Sequence, residues 1–172
     1  MDFKIKKILF SEEEIAAHVK ELGEQITKDY AGKEVTLLCV LKGSLIFTAD
    51  LARRIDLPVQ IDVCKAKSYA GSSTTGSVNL ASLPEYLADK HIIIVEDILD
   101  TGLTLAALKN AIEEKKPASL KICTFLYKKD SVRSNIVPDY YGLICPQEFV
   151  VGYGLDYNEE MRQLPYVAAL EV

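Results

Sequence analysis

The chain has no apolar run near the ~20 residues that span a bilayer, and it has no excess of positive charge. Its 20 basic residues face 25 acidic ones, for a formal net charge of -5. That balance argues against a nucleic-acid or membrane-surface partner, because both call for a basic face. The opening MDFKIKKILF is too short and too charged for a secretory signal. No CxxC pair occurs among Cys39, Cys64, Cys123 and Cys145, which removes the usual redox and zinc pairings. Three of these thiols sit in apolar or strand-like runs, as small hydrophobes do in a reduced, cytoplasmic protein. The two histidines, His18 and His91, make no metal-ligand spacing with each other or with a cysteine. Internal repeats and low-complexity tails are absent too.

What remains is an ordinary globular composition, 49% hydrophobic and 26% charged. The 172 residues suffice for one domain with a substantial core and are too few for two. SEEEIAAHVKELGEQITKDY opens with Ser11 and Glu14 at capping-box spacing, and Ile15, Val19, Leu22 and Ile26 then recur at helical intervals. EVTLLCVL reads as a continuous apolar strand, which LKGS turns into a second helix with Ser44 as its cap, carrying Phe47, Leu51 and Ile55. LPVQIDVCKAK, opened by Pro58, alternates Val59, Ile61 and Val63 as a strand. HIIIV is a buried strand, followed by a helix marked by Leu105, Leu108 and Ile112 that ends near Pro117. LKICTFLY is another buried strand, YYGLIC and EFVVGYGLDY are short strands with glycine turns, and YVAAL closes the chain. The pattern predicts an α/β domain on a mostly parallel central sheet flanked by helices. SYAGSSTTGS has almost nothing to bury, and its flanks are too small to be separate domains. A mobile lid is expected there rather than a linker.

The stretch HIIIVEDILDTGLTL, from His91 to Leu105, combines two opposite tendencies. A buried strand, a turn at Gly102 and a helix start form a natural anion cradle, with Thr101 and Thr104 placing hydroxyls beside free amides. Yet Glu96, Asp97 and Asp100 put three carboxylates into the same turn. A nucleotide-binding P-loop, GxxxxGKS or GxxxxGKT, is absent. A calcium loop counted from Asp97 would need acidic residues where Leu99, Thr101 and Leu108 stand. A ligand with a phosphate at one end and hydroxyls or a metal-bound group nearby satisfies both tendencies. Adjacent carboxylates can hold ribose hydroxyls directly or through Mg²⁺, leaving Asp100 as a base or a partner for developing positive charge. A sugar losing a leaving group at its anomeric carbon becomes oxocarbenium-like, and negative charge stabilises it.

VEDILDTGLTL resembles the phosphoribosyl-pyrophosphate signature of the purine phosphoribosyltransferases, closest to their hypoxanthine-guanine branch and its compact bacterial-type members. The likeness extends to LKGS (41–44), KSYAGSSTTGS (67–77), the lysine of FLYKK and FVVGYGLDYNEEMRQLPYV (149–167), in the family's order. It implies a single domain over residues 1–172 with the type I phosphoribosyltransferase fold, including a small hood built from N- and C-terminal segments. It also implies Mg²⁺-dependent transfer of a phosphoribosyl group to hypoxanthine or guanine, giving IMP or GMP and pyrophosphate, in purine salvage. By the same resemblance Glu96 and Asp97 meet the ribose hydroxyls, one through Mg²⁺, and Asp100 is the general base. Asp100, Thr101, Gly102, Leu103 and Thr104 wrap the 5′-phosphate. Lys42 and Gly43, after a cis peptide, contact pyrophosphate through the backbone, and Arg162 and the lid residues Ser68 and Tyr69 reach it as well. Lys128 donates to the purine 6-oxo group, Phe149 stacks on the base, and Val150 meets its polar edge. Asp156 ligates a second Mg²⁺. Leu103 replaces a lysine found in some relatives, which removes one phosphate charge but no backbone amide. A homodimer or homotetramer is implied as well.

Two other classes fit less well. A regulator that keeps the fold and binds nucleotide or RNA is disfavoured by the acidic charge and by Asp100, Lys128 and Phe149. A Mg²⁺-dependent phosphatase with Asp97 as nucleophile or ligand would release inorganic phosphate instead of pyrophosphate.

Overall fold

The computed structural model describes residues 4–68, 78–79 and 82–171. In chain order the elements are β1 (Lys4–Phe10), α1 (Glu12–Asp29), β2 (Val35–Leu41), α2 (Leu45–Ala52) and β3 (Val59–Lys65). There follow β4 (Lys67–Ser68), β5 (Val78–Asn79), β6 (His91–Leu99), α3 (Leu103–Glu113) and β7 (Ser119–Tyr127). A short 3-10 turn (Lys129–Ser131), β8 (Tyr140–Ile144), β9 (Val150–Val151) and β10 (Val167–Glu171) complete the described chain.

The apolar runs become a five-stranded parallel sheet in the order β3-β2-β6-β7-β8. The central strands β2, β6 and β7 are largely apolar because both their faces are covered, whereas the edge strand β3 leaves Ile61 and Val63 exposed. Leu37 of β2 and Ile93 and Val95 of β6 face one way, packing with Ile15, Val19, Phe47 and Leu51 of α1 and α2. Leu38, Val40, Ile92 and Ile94 face the other way, against Leu105, Leu108 and Ile112 of α3. Ser11 and Glu14 form the expected capping box, with Ser11 Oγ accepting from the Glu14 amide at 3.2 Å and Glu14 Oε2 from the Ser11 amide at 2.8 Å. All four cysteines are buried and unpaired, and burial pushes the Cys64 thiol up to about 12.

The second sheet is antiparallel, in the order β1-β10-β9, and joins the two ends of the chain. It is the small hood. Among the described residues no helix is long and apolar enough to cross a membrane.

Three boundaries differ from the sequence reading. Helix α2 stops at Ala52, and Ile55 is buried beyond it, where tighter bonds from Arg54 to Leu51 and from Ile55 to Ala52 turn the chain towards β3. Ser44 is not a side-chain cap: its hydroxyl turns back to donate to the Val40 carbonyl at 2.8 Å. Strand β6 runs through Glu96 and Asp97 to Leu99, because β7 continues to pair with it there.

Candidate active site

Strand β2 passes the chain to α2 on one face of the sheet, whereas β6 passes it to α3 on the other. Neighbouring strands with opposed exits leave a crevice at their carboxyl ends. Here β2 pairs with β6 only as far as Cys39 and Val95, while β6 continues beside β7 to Leu99. The result is a cleft of about 450 Å³. Gly43, Glu96, Asp97, Asp100, Thr101, Gly102, Thr104, Asp156 and Arg162 line it.

The loop after β6 enters α3 through Gly102, whose φ of 78° is left-handed. A Cβ at Gly102 would also lie 2.3 Å from Ser134 Oγ, so glycine meets both a conformational and a steric demand. Unlike α1, helix α3 has no side-chain cap and no acidic residue in its first turn. Its first amides therefore remain available, apart from a long 3.4 Å contact from the Leu103 amide to Thr101 Oγ1. Uncapped amides on the positive end of an eleven-residue helix suit an anion.

The loop after β2 begins with a cis peptide between Leu41 and Lys42. Gly43 then lies directly against Asp97: a Cβ there would be 1.8 Å from Asp97 Oδ2. Over Gly43 sits Gly154, with φ 100°, where a Cβ would be 2.1 Å from the Gly43 carbonyl oxygen. Three segments distant in sequence thus close on one another, Gly43 lying between the Asp97 carboxylate on one side and the backbone of Gly154 on the other. Tyr153 anchors the last of these, its hydroxyl donating to Asp50 Oδ2 at 2.6 Å and its ring 4.9 Å from Phe125.

Burial is the main influence that raises the Glu96 carboxyl well above the usual range, followed by the charge of Asp97. Asp97 is also raised by burial, against the pull of its contacts with Glu96, the Ile98 amide and Arg162. Ionised together, they are two crowded carboxylates on one strand. A divalent cation would relieve both, and hard oxygen donors are what Mg²⁺ takes. Among the described residues no three acidic, histidine or cysteine side chains gather as a metal cage. One or two carboxylates completed by water and substrate oxygens is the usual pattern for Mg²⁺, so the donor set fits that ion.

Arg162 approaches from the hood side. It donates to the Gly154 carbonyl at 2.7 Å and pairs with Asp156 at 3.0 Å and Glu159 at 3.2 Å. Glu159 also forms an ion pair with Lys42.

Residues 7–158 match the phosphoribosyl transferase domain family. The chain is 44% identical to a hypoxanthine-guanine phosphoribosyltransferase of Streptococcus thermophilus over 169 residues, 97% of this chain and 94% of that protein. It is 43% identical to the enzyme of the same name from Mycobacterium tuberculosis over 176 residues, 97% of this chain and 87% of that one. The crystal structure of a Bacillus anthracis hypoxanthine-guanine phosphoribosyltransferase superposes with a TM-score of 0.93 at 41% identity, covering 99% of this chain and all of the other. The chain belongs to the phosphoribosyltransferase family.

In this phosphoribosyltransferase several residues singled out from the sequence are not among the residues that line the cleft, and Phe149 lines a separate cavity with Lys6 and Glu148. Lys42 is turned towards Glu159, and Leu103 is 54% exposed. Lys128, half-buried, donates from Nζ to the Glu148 carbonyl at 2.9 Å, whereas Lys129 is exposed in the 3-10 turn. Phe149 is 46% exposed and meets Tyr157 edge-on, with ring centroids 5.5 Å apart. Val150 is buried in β9 opposite Ala169. Ser68 closes β4, which pairs with β5, while Tyr69 and the rest of the expected lid, 69–77, fall outside the described residues. The stretch NEEMRQ is not helical: Asn158, Glu159 and Met161 all have positive φ. Glu159 and Gly154 escaped the sequence reading. The tyrosine-flanked Asn158-Glu159 pair was an available signal, because asparagine favours tight turns.

Proposed function

We propose that the chain transfers the 5-phosphoribosyl group of phosphoribosyl pyrophosphate to a 6-oxopurine, hypoxanthine or guanine, in purine salvage. The supporting observation is a single cleft that combines the half-buried Glu96–Asp97 pair with the uncapped start of α3. The bond from the anomeric carbon to pyrophosphate breaks, and its electron pair leaves on the pyrophosphate oxygen. A purine ring nitrogen forms the new bond, and its proton passes to Asp100 at the cleft's edge. The products are IMP or GMP and pyrophosphate.

Glu96 and Asp97 take the ribose hydroxyls and lend negative charge to the oxocarbenium-like sugar. The amides from Asp100 to Thr104 hold the 5′-phosphate, Leu103 through its backbone alone. Lys128 donates to the purine 6-oxo oxygen, Phe149 stacks on the ring, and Val150 and Asp156 flank its polar edge. Lys42, Gly43 and Arg162, with Ser68 and Tyr69, receive the pyrophosphate. Glu96, Asp97 and Asp156 would hold Mg²⁺, which when bound supplies positive charge to the departing pyrophosphate. The lid over 68–77 excludes water that would intercept the sugar. The unit is one domain over residues 1–172, cytoplasmic, assembled as a homodimer or homotetramer.

The test is a kinetic comparison of hypoxanthine, guanine and xanthine with phosphoribosyl pyrophosphate and Mg²⁺, following nucleotide and pyrophosphate together. Equal release of nucleotide and pyrophosphate is expected for the first two. Inorganic phosphate without nucleotide would overturn the proposal.

A further inference from the structure

Lys42, whose backbone is assigned above to pyrophosphate, and Arg162, assigned to it as well, send their side chains to a single carboxylate. One oxygen of Glu159 pairs with Lys42 Nζ, and the other lies 3.2 Å from Arg162 Nη2. The pair with Glu159 is the only ion pair of Lys42 among the described residues.

The backbone presents Glu159 deliberately to these cations. Tyr157 and Glu160 exchange backbone hydrogen bonds of 3.1 and 3.0 Å, enclosing Asn158 and Glu159 with φ of 51° and 67°. That is the type I′ pattern, which favours glycine at its second central position. Asp156 Oδ2 fixes the turn by accepting from the Glu159 amide at 2.9 Å. Glutamate in a position that suits glycine is accounted for by what its side chain touches.

We propose that Glu159 is an anionic placeholder for the pyrophosphate subsite. It holds Lys42 and Arg162 in the free protein, yields them to the pyrophosphoryl group, and reclaims them as pyrophosphate leaves. The inference rests on the assignment of Lys42 and Arg162 to pyrophosphate. A single carboxylate loses to a multiply charged pyrophosphate, so the exchange runs towards the ligand, but displacing it weakens binding and speeds release. Lys42 and Glu159 side chains are each 63% exposed, so little packing resists the swing. Arg162 keeps Asp156 and the Gly154 carbonyl when Glu159 departs, and stays in place.

Pyrophosphate binding by calorimetry on the intact protein, with and without Mg²⁺, tests this. Glu159→Gln and Glu159→Gly are compared with wild type, Lys42→Met and Glu160→Gln, the last removing a neighbouring exposed carboxylate. Glycine suits the turn, so misfolding does not confound that variant. Both Glu159 variants are expected to tighten pyrophosphate binding about three- to tenfold, as removal of exposed ion-pair competitors would. The gain shrinks at high salt, and Glu160→Gln shows none. If neither Glu159 variant binds more tightly while Lys42→Met still weakens binding, the placeholder is overturned and the subsite stands. If Lys42→Met leaves binding unchanged, the ammonium takes no part and the placeholder is overturned; if the wild-type protein binds no pyrophosphate with or without Mg²⁺, the subsite assignment itself fails.

Discussion

Adding one methyl group at Gly43 tests whether the loop after β2 sets the position of Asp97. The Cβ of Gly43→Ala would lie 1.8 Å from Asp97 Oδ2 and 2.7 Å from its Cγ, the next nearest atom being Asp97 Cβ at an ordinary 3.5 Å. A carbon–oxygen contact needs roughly 3.3 Å, so the carboxylate oxygen must retreat by about 1.5 Å. Gly43 is not left-handed, so alanine adds no backbone penalty and the whole effect falls on Asp97. Rotating that carboxylate gives up the 2.7 Å hydrogen bond from the Ile98 amide. The lost bond and an off-rotamer side chain each cost about 1 kcal/mol. A total near 2 kcal/mol lowers Tm by roughly 4–8 °C for a domain of this size. Activity should suffer far more, because a reacting group misplaced by about 1 Å costs on the order of 100-fold. The assay pairs a thermal melt with nucleotide formation from phosphoribosyl pyrophosphate and hypoxanthine. A lowered Tm with unchanged kcat/KM would refute the reasoning, since Asp97 would then have moved without consequence.

Other perturbations separate the parts of the site. Because burial and Asp97 raise the Glu96 carboxyl, its contribution to stability is complete below the ordinary carboxylate range and is lost as pH rises through the raised value. Glu96→Gln should therefore gain roughly 1 kcal/mol at neutral pH without Mg²⁺, flatten the pH dependence of Tm and lose Mg²⁺-linked stabilisation; a lower Tm would contradict this. Gly102→Ala forces a side chain into φ 78° against Ser134, costing about 1–2 kcal/mol for the backbone alone; calorimetry should also show weaker IMP binding, and wild-type affinity would count against the phosphate loop. Lys128→Met keeps the apolar stem and removes one charged hydrogen bond, so kcat/KM for hypoxanthine should fall about 10- to 100-fold, with the KM for phosphoribosyl pyrophosphate unchanged. Asp100→Asn should lower kcat by roughly 10²- to 10⁴-fold with the melt preserved; wild-type turnover would remove it as the base.

The parallel sheet was legible because its central strands, HIIIV and TLLCV among them, are short and apolar on both faces and alternate with amphipathic helices. The capping box at Ser11 and Glu14 reads directly, since both hydrogen bonds are local. Strand β1 was not legible: KIKKILF does not alternate cleanly, its pairing with β10 shifts register twice, and most of it is exposed. The acidic pair Glu96–Asp97 reads as the end of β6, and only pairing of Ile98 and Leu99 with β7 carries the strand two residues further. At the site, the acidic pair and the Gly102 turn could be read from one continuous stretch. The approach of Gly43 to Asp97, and of Gly154 to Gly43, could not. Those contacts set a glycine backbone against a carboxylate or another backbone remote in sequence, and no residue type announces a partner of that kind. Glu159 was hidden differently: in NEEMRQ it looks like one more surface acid until the turn aims it at Lys42.

A crystal structure with IMP bound tests the central claim most directly. The phosphate should sit on the amides of residues 101–104, with the ribose hydroxyls towards Glu96 and Asp97. A nucleotide whose phosphate lies instead beside Lys42 and Arg162, away from the start of α3, would contradict the account.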